Sequence, residues 1–364
     1  MSTTTSQRQE VPVPPRRRRQ VSMADVAEAA GVSPQTVSRV SNGYEGVVPA
    51  TRERVVAAMR QLGYRPNAAA RALKRGSFRN IGVVMFDLTT VGNTSTLAAI
   101  SESAAAHGYT VTLLSPQSRT ADSLSGAFNR LEEMLVDGVI LVMESAPEGA
   151  AGTSFALPDV SHLVVVDSAL GPDHAVVDTD QAAGTRSAVE HLLALGHRTV
   201  HHITGPAHSY SAIRRETAWR TVLTEAGREI PAPLTGNWSA SSGYAAGRIL
   251  MEDPDCTAVF CANDEMALGV IHAAEEAGRR IPQDLSIVGF DDIPLAADFA
   301  PPLTTVHQDF AGLGRVCVAR LAHMIATDEI STGIELVPTS LTVRASTAPP
   351  RHDRAHIRHT HSPA

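Results

Sequence analysis

Polar side chains able to grip a hydroxylated molecule recur at the ends of apolar runs in this sequence. Asp167 closes the run 163–166, Asn263 and Asp264 follow the run 258–261, and Asp291 follows the run 285–290. Arg215 opens a helical stretch after Thr204, Trp238 lies in the loop Gly236-Asn237-Trp238-Ser239, and Gln308 sits in a connecting segment. Carboxylates, amides and a guanidinium converging on a cleft can bind a polyol, because each hydroxyl is both donor and acceptor. An indole face can cover the apolar face of a sugar ring, giving a polar lining with an aromatic platform. The same residue types also serve as helix caps and interdomain hydrogen bonds. Asp167 and Asp291 could instead be the carboxylate pair of a glycosidase, which requires a fixed separation across the scissile bond.

A second constellation lies near the N-terminus. The spacing of Val26, Ala27 and Ala30 predicts a helix over Met23–Ala30 with one small apolar face. Gly31 supplies a tight turn, Ser33 an N-cap and Pro34 a first helical residue. In the second helix Val37 and Val40 turn inward with Val32, while Pro34, Gln35, Ser38 and Arg39 face out. Two short helices joined at a Gly-containing turn make a helix-turn-helix. Its second helix offers donors to the major groove, where Arg pairs with guanine and Gln with adenine. A plain helical hairpin with a solvated face has the same pattern. A third helix is expected over 51–62, with Val55, Met59 and Leu62 on one stripe and Gly63 past its end. Asn67 then caps a very short Ala-rich helix, too short to persist in water without external support.

The elements that position the first constellation begin at Asn80. Apolar runs at 81–86, 109–114, 138–142 and 163–166 alternate with helical stretches at 96–107 and 123–136. A second series has helical stretches at 182–195, 214–226, 242–251, 264–277 and 310–326, and strand-like runs at 199–204, 258–261 and 285–290. One final strand or a pair is expected over 336–343. Such alternation predicts parallel sheets with helices on both faces, and ligands in such sheets bind beyond the carboxyl ends of strands.

Length and charge fit this division. The chain has 364 residues, enough for two or three domains. Residues 1–80 carry 14 Arg/Lys and 5 Asp/Glu, while the remainder carries 17 and 33. A basic head on an acidic body confines nucleic-acid contact to the head. Residues 1–20 read as a disordered basic tail whose Arg16–Arg19 run could add phosphate contacts. No apolar run approaches the roughly 18–20 residues of a membrane span, and no signal-type stretch follows the arginines. A cytoplasmic protein is expected. Cys256, Cys261 and Cys317 lack a metal-like spacing and read as reduced thiols. His352, His356, His359 and His361 belong to a tail, 348–364, expected to be disordered. No cofactor and no metal are called for.

The segments DVAEAAGVSPQTVSRVSN, TRERVVAAM and GYRPNAAARAL, the last running straight into NIGVVMF, resemble the LacI/GalR family of bacterial transcription factors. The resemblance covers roughly residues 21–347. It implies a helix-turn-helix domain (21–66), a hinge helix and linker (67–79) that fold on operator DNA, and an effector-binding and dimerisation domain (80–347). The body would be a two-lobed, periplasmic-binding-protein-like α/β fold of two doubly wound parallel sheets. Lobe one would hold about 80–178 plus 307–337, and lobe two about 179–306 plus 338–347. DNA contacts are implied for Ser33, Pro34, Gln35, Thr36, Ser38, Arg39, Asn42, Tyr64, Asn67, Ala70 and Leu73. Leu73 would be wedged into the minor groove, unstacking a base step and bending the duplex. Val48 departs from the family pattern, which has a capping side chain before Pro49.

GNWSASSGY, CANDEMALG, VGFDDI, PPLTTVHQDF and HSYSAIRRETAW resemble the lactose-repressor branch of the family. That resemblance implies sugar hydroxyls bound by Asp167, Arg215, Asn263 and Asp291. Trp238 would stack, and Gln308 and Phe310 would line the floor. The first-lobe loop 87–94 and Val142 depart from that branch, leaving a galactoside, a β-glucoside or another oligosaccharide open. The expected protein is a sugar-responsive repressor, not an enzyme. It would be homodimeric because the tail lacks the leucine heptads that join some relatives into tetramers. A corepressor ligand and a transport-type sugar-binding protein are the alternatives.

Overall fold

The computed structural model describes residues 21–64, 77–146, 157–158 and 160–351. The chain divides into two compact units, 1–76 and 77–364.

The first unit is helical. α1 (Met23–Ala30) is held by a capping box in which Ser22 and Asp25 satisfy each other's backbone, and it ends on Gly31 at φ 62°. α2 (Pro34–Ser41) is capped by the Ser33 hydroxyl, which accepts from the Thr36 N–H at 3.1 Å. α3 (Pro49–Leu62) starts two residues earlier than its apolar stripe suggested. No side chain caps it at Val48, and Pro49 supplies the preset φ instead. Val26, Ala27, Ala30, Val37, Val40, Val55 and Ala58 form one small core among the three helices. So few apolar side chains make a marginal core, and every one of them matters.

The second unit contains two six-stranded sheets. Sheet one joins β1 (Asn80–Met85), β2 (Thr110–Leu114), β3 (Gly138–Val142), β4 (Leu163–Val166), β5 (Ala175–Thr179) and β11 (Gly333–Val337), in the order β11-β5-β4-β3-β1-β2. Its pairings are all parallel. Sheet two joins β6 (His201–Thr204), β7 (Leu234–Thr235), β8 (Ala258–Cys261), β9 (Ser286–Asp291), β10 (Thr304–Gln308) and β12 (Thr339–Thr342), in the order β12-β10-β9-β8-β6-β7. β12 runs antiparallel to β10, so this sheet is mixed rather than wholly parallel. The fully buried strands are near-continuous runs of Val, Ile, Leu and Phe, as two-sided burial demands.

Helices α4 (Val91–Ala106) and α5 (Ala121–Glu133) belong to the first series, and α6 (Gln181–Ala194), α7 (Tyr210–Glu225), α8 (Ala240–Met251) and α9 (Asp264–Glu276) to the second. α10 (Phe310–Thr327) follows a sheet-two strand but buries Leu313, Cys317, Val318 and Leu321 against sheet one. The chain therefore crosses between sheets three times, at Asp180, Asp309 and Pro338. Asp180 and Asp309 each cap the helix that follows the crossing. The Asp180 N–H donates to the Val337 carbonyl at 2.9 Å, and the Thr339 hydroxyl to the Asp180 carbonyl at 3.2 Å, tying two crossings together.

Three strands escaped sequence reading, one of them the two-residue β7. β5 and β10 are short, and each leads straight into a capped helix, so neither shows a bounded apolar run. α4 begins at Val91, five residues before the predicted start, because Thr90 caps it and its first turn is polar. Arg215 does not open its helix but lies in the second turn of α7, whose cap is Ser209. The predicted tail begins too early: the Ala348 N–H donates to Ser286 Oγ at 3.0 Å, and Arg351 lies 3.9 Å from Asp284. The rest of that tail, residues 1–20 and the hinge lie outside the described residues.

Candidate effector pocket and DNA-reading surface

The strand ends of the two sheets and the crossings enclose one pocket. Its lining includes all seven effector residues expected from sequence: Asp167, Arg215, Trp238, Asn263, Asp291, Gln308 and Phe310. Four of its polar members form a connected network. Arg215 Nε donates to Gln181 Oε1 at 2.8 Å, a terminal nitrogen of the same guanidinium donates to the Ala262 carbonyl, and Nη2 lies 3.6 Å from Asp291 Oδ1. Gln308 Nε2 donates to Asp291 Oδ1 at 2.6 Å, and Gln181 Nε2 to Gln308 Oε1 at 3.4 Å. The guanidinium lies 3.7 Å from the Phe290 ring centroid and 5.6 Å from that of Trp238.

Burial outweighs the ion pair on both partners. It pushes the Asp291 carboxyl up to about 6 and lowers Arg215 from its ordinary value, although each charge favours the other. Asp167 is pushed well above the usual carboxylate range by burial and then by the neighbouring Asp178. Arg214 of α7 partly compensates. It meets Asp178 at 2.5 Å, Asp167 at 3.5 Å and the Ser168 carbonyl, all on the sheet-one side.

Asn263 is partly a structural residue. Its oxygen caps α9 through the Met266 N–H, and its amide nitrogen donates to the Trp238 carbonyl at 2.9 Å, fixing the loop that carries the indole. Asp264 points away from the pocket, accepting from Thr305 and from the Ile293 N–H. Gly205 lies beneath the Trp238 ring, so close that a Cβ there would stand inside the indole's van der Waals envelope.

On the sheet-one wall, sequence reading named Asp167, the loop 87–94 and Val142 but missed Arg119 and Glu144. Glu144 accepts from Arg119 Nη2 at 2.9 Å and from Asn93 Nδ2 at 2.7 Å, and the same Asn93 nitrogen donates to the Asp87 carbonyl at 2.8 Å. Burial pushes Glu144 up to about 7 against the opposing pull of Arg119. The strand-end rule that found Asp167 also points to Glu144, two residues past β3. Glu144 (φ 59°), Asp167 (47°), Trp238 (73°) and Asp291 (111°) all hold left-handed backbone without being glycine. Strain of this kind collects at ligand sites.

On the head, Gln35 and Arg39 are exposed, and the Arg39 guanidinium lies 5.5 Å from the Tyr44 ring centroid. Pro34 is exposed at the start of α2. Ser33 and Thr36 hydroxyls bond each other at 2.9 Å, and Asn42 Nδ2 donates to Ser38 Oγ at 3.3 Å. Tyr64 is half-buried against the head core. Asn67, Ala70 and Leu73 lie outside the described residues.

Among the described residues no helix is long and apolar enough to cross a membrane, and no cluster of His, Cys, Asp and Glu could hold a metal ion. Burial pushes the Cys256 thiol up to about 12, and the Cys261 and Cys317 thiols upward as well.

Residues 22–67 match the bacterial regulatory proteins of the lacI family, and residues 189–347 match a periplasmic binding protein-like domain. The lactose operon repressor of Escherichia coli (strain K12) is 36% identical over 336 residues, 92% of this chain and 93% of that protein. A lac repressor dimer bound to operator and the anti-inducer ONPF superposes with a TM-score of 0.82 at 35% identity, covering 91% of this chain and all of that one. A complex of the transcriptional regulator CelR with cellobiose gives 0.65 at 29% identity, over 90% of this chain and 100% of that one. A head with an exposed reading helix, a body of two strand-end walls and this level of identity along almost the whole length lead to one assignment: the chain belongs to the LacI family of bacterial regulatory proteins.

Proposed function

We propose that the chain is a transcriptional repressor that binds a pseudopalindromic operator and is released from it by a sugar, a galactoside or another glycoside. The observation that carries the sugar reading is the buried Gln181–Arg215–Asp291–Gln308 network beside the Trp238 indole. A desolvated net of donors and acceptors next to an aromatic face suits a ring with hydroxyls on its edge and C–H groups on its faces.

The protein works in the cytoplasm, where its operator is, as a homodimer. Two α2 helices enter successive major grooves about one turn apart, with Gln35, Ser38 and Arg39 toward the bases and Leu73 as the minor-groove wedge. Its relatives are repressors. This favours a sugar sensor over a glycosidase built on Asp167 and Asp291.

Selection from random duplexes, followed by gel-shift titration with and without mono- and disaccharides, tests this reading. A palindromic site whose affinity falls on adding sugar is expected. Tighter binding with ligand would make the ligand a corepressor, and no preference for any palindrome over random duplex would refute operator recognition. Turnover of chromogenic glycosides would restore the enzyme reading.

A further inference from the structure

Resting on the sugar-responsive reading above, we infer that the wall formed by Asn93, Arg119 and Glu144 selects ligands that bring a second hydroxylated ring, so that the effector is a di- or oligosaccharide rather than a monosaccharide or a glycoside with an apolar tail.

The inference follows from which hydrogen-bonding atoms this wall leaves open. The Asn93 amide nitrogen is spent on the Asp87 carbonyl and on Glu144 Oε1. Asn93 lines the pocket, and its Oδ1 has no partner among the described residues, which leaves it available as an acceptor. Arg119 uses one N–H on Glu144 and one on Ser145, out of the five that a guanidinium carries. It therefore offers spare donors beside that acceptor. A free acceptor next to free donors is the complement of a hydroxyl group, and several of each suit a ring of hydroxyls.

An apolar substituent placed here would strip water from these atoms and give nothing in return. An unmet buried polar group costs more than a typical hydrogen bond gains. The wall is also held firmly. Arg119 and Glu144 are 24% and 13% exposed, and each fixes the other. Glu144 keeps a left-handed backbone at φ 59° while its carbonyl accepts from the Tyr210 N–H of α7 at 2.8 Å. Trp238 is the pocket's one indole, which serves a single ring. A second ring reaching this wall meets polar atoms instead.

The test uses matched pairs that share the first ring: lactose against methyl β-galactopyranoside, and cellobiose against methyl β-glucopyranoside. Each is titrated calorimetrically into the full-length protein and into its Asn93→Leu and Arg119→Met variants. In whichever pair binds, the disaccharide is expected to bind at least about 10-fold tighter, the worth of one or two well-placed hydrogen bonds. Each variant is expected to shrink that gap to within about threefold while the methyl glycoside affinity holds, which also shows that the variant pocket is folded. Equal affinity within the pair for the wild type, or an undiminished gap in both variants, overturns the inference and leaves the sugar reading standing. Variants that lose the methyl glycoside as well overturn it too, because the wall would then be holding the pocket together. If neither pair binds at all, the sugar reading fails and takes this inference with it.

Discussion

Replacing Glu144 with Gln should flatten the pH dependence of the body's stability between about pH 4.5 and 7. Glu144 is pushed from 4.5 to about 7, first by burial and then by the neighbouring Asp87 charge, with Arg119 and Asn93 pulling the other way. The native carboxyl therefore holds its proton more tightly than the unfolded one does. Between the two pKa values the folded state binds more protons, so its stability falls as pH rises. The stabilisation is complete below the unfolded value and is gone above the folded one. A shift of that size is worth about 3 kcal/mol, an upper bound because the side chain keeps 13% exposure. Gln cannot titrate, so subtracting its curve from the wild-type curve gives the Glu144 contribution together with a smaller one from Asp167, which the Glu144 charge also raises. Urea unfolding followed by tryptophan fluorescence is the assay. Trp219 and Trp238 are the only two tryptophans and both lie in the body, so the signal ignores the head. Parallel curves from pH 5 to 8, or a wild type that gains stability over the Gln variant as pH rises, would refute the reasoning.

Arg215→Leu should bind operator but no longer respond to sugar, as gel shifts with and without ligand would show. It should also lose about 3–5 kcal/mol of body stability, because Asp291 is left buried without its counter-charge. Full induction would remove Arg215 from the pocket. Gly205→Ala should drive the Trp238 indole off its seat, weakening glycoside binding by roughly tenfold at an overpacking cost of about 1–3 kcal/mol; unchanged affinity and emission would show that the ring does not depend on that contact. Arg39→Ala should relax the preference at one base pair per half-site by about 1–3 kcal/mol, and a selection experiment returning the same consensus would exclude it from base reading.

The head was legible because its signals are local. Ser33, Pro34, Gly31 and the valine spacing act within one or two helical turns, and α1 and α2 form where these place them. The strand-end residues of the body were legible for a similar reason: a carboxylate closing a run of Val or Phe marks the carboxyl end of a buried strand, as at Asp167 and Asp291. What sequence could not show is how partners are shared. Nothing local says that Arg214, and not Arg215, reaches across to Asp178, since the two differ only by the 100° that separates neighbours on a helix. Nor does spacing reveal that Asn263 spends its amide on a cap and on the Trp238 carbonyl, or that Asn93, Arg119 and Glu144, more than 20 residues apart in sequence, form one wall. β10 escaped because Thr304, Thr305 and Gln308 are polar yet buried, satisfied by neighbours that only the fold supplies.

The placement of the polar network suggests how occupancy could reach the rest of the body. Gln181 follows the crossing at Asp180, and Gln308 precedes the crossing at Asp309. These glutamines touch each other and hold Arg215 and Asp291 between them. A hydroxyl that took Asp291 or Arg215 from its partner would thus act within one residue of two of the three links between the sheets. Arg214 adds a second lever, because it reaches from α7 of the sheet-two lobe to Asp167, which lines the pocket, and to Asp178 on β5. Binding energy alone does not move such an equilibrium. Only the difference in affinity between two lobe arrangements does, and atoms next to the crossings are where a change of lobe angle most directly alters what the ligand can reach. An effector held only by the far walls would bind without signalling. That is why the sugar response should vanish with Arg215 but survive the loss of Asn93.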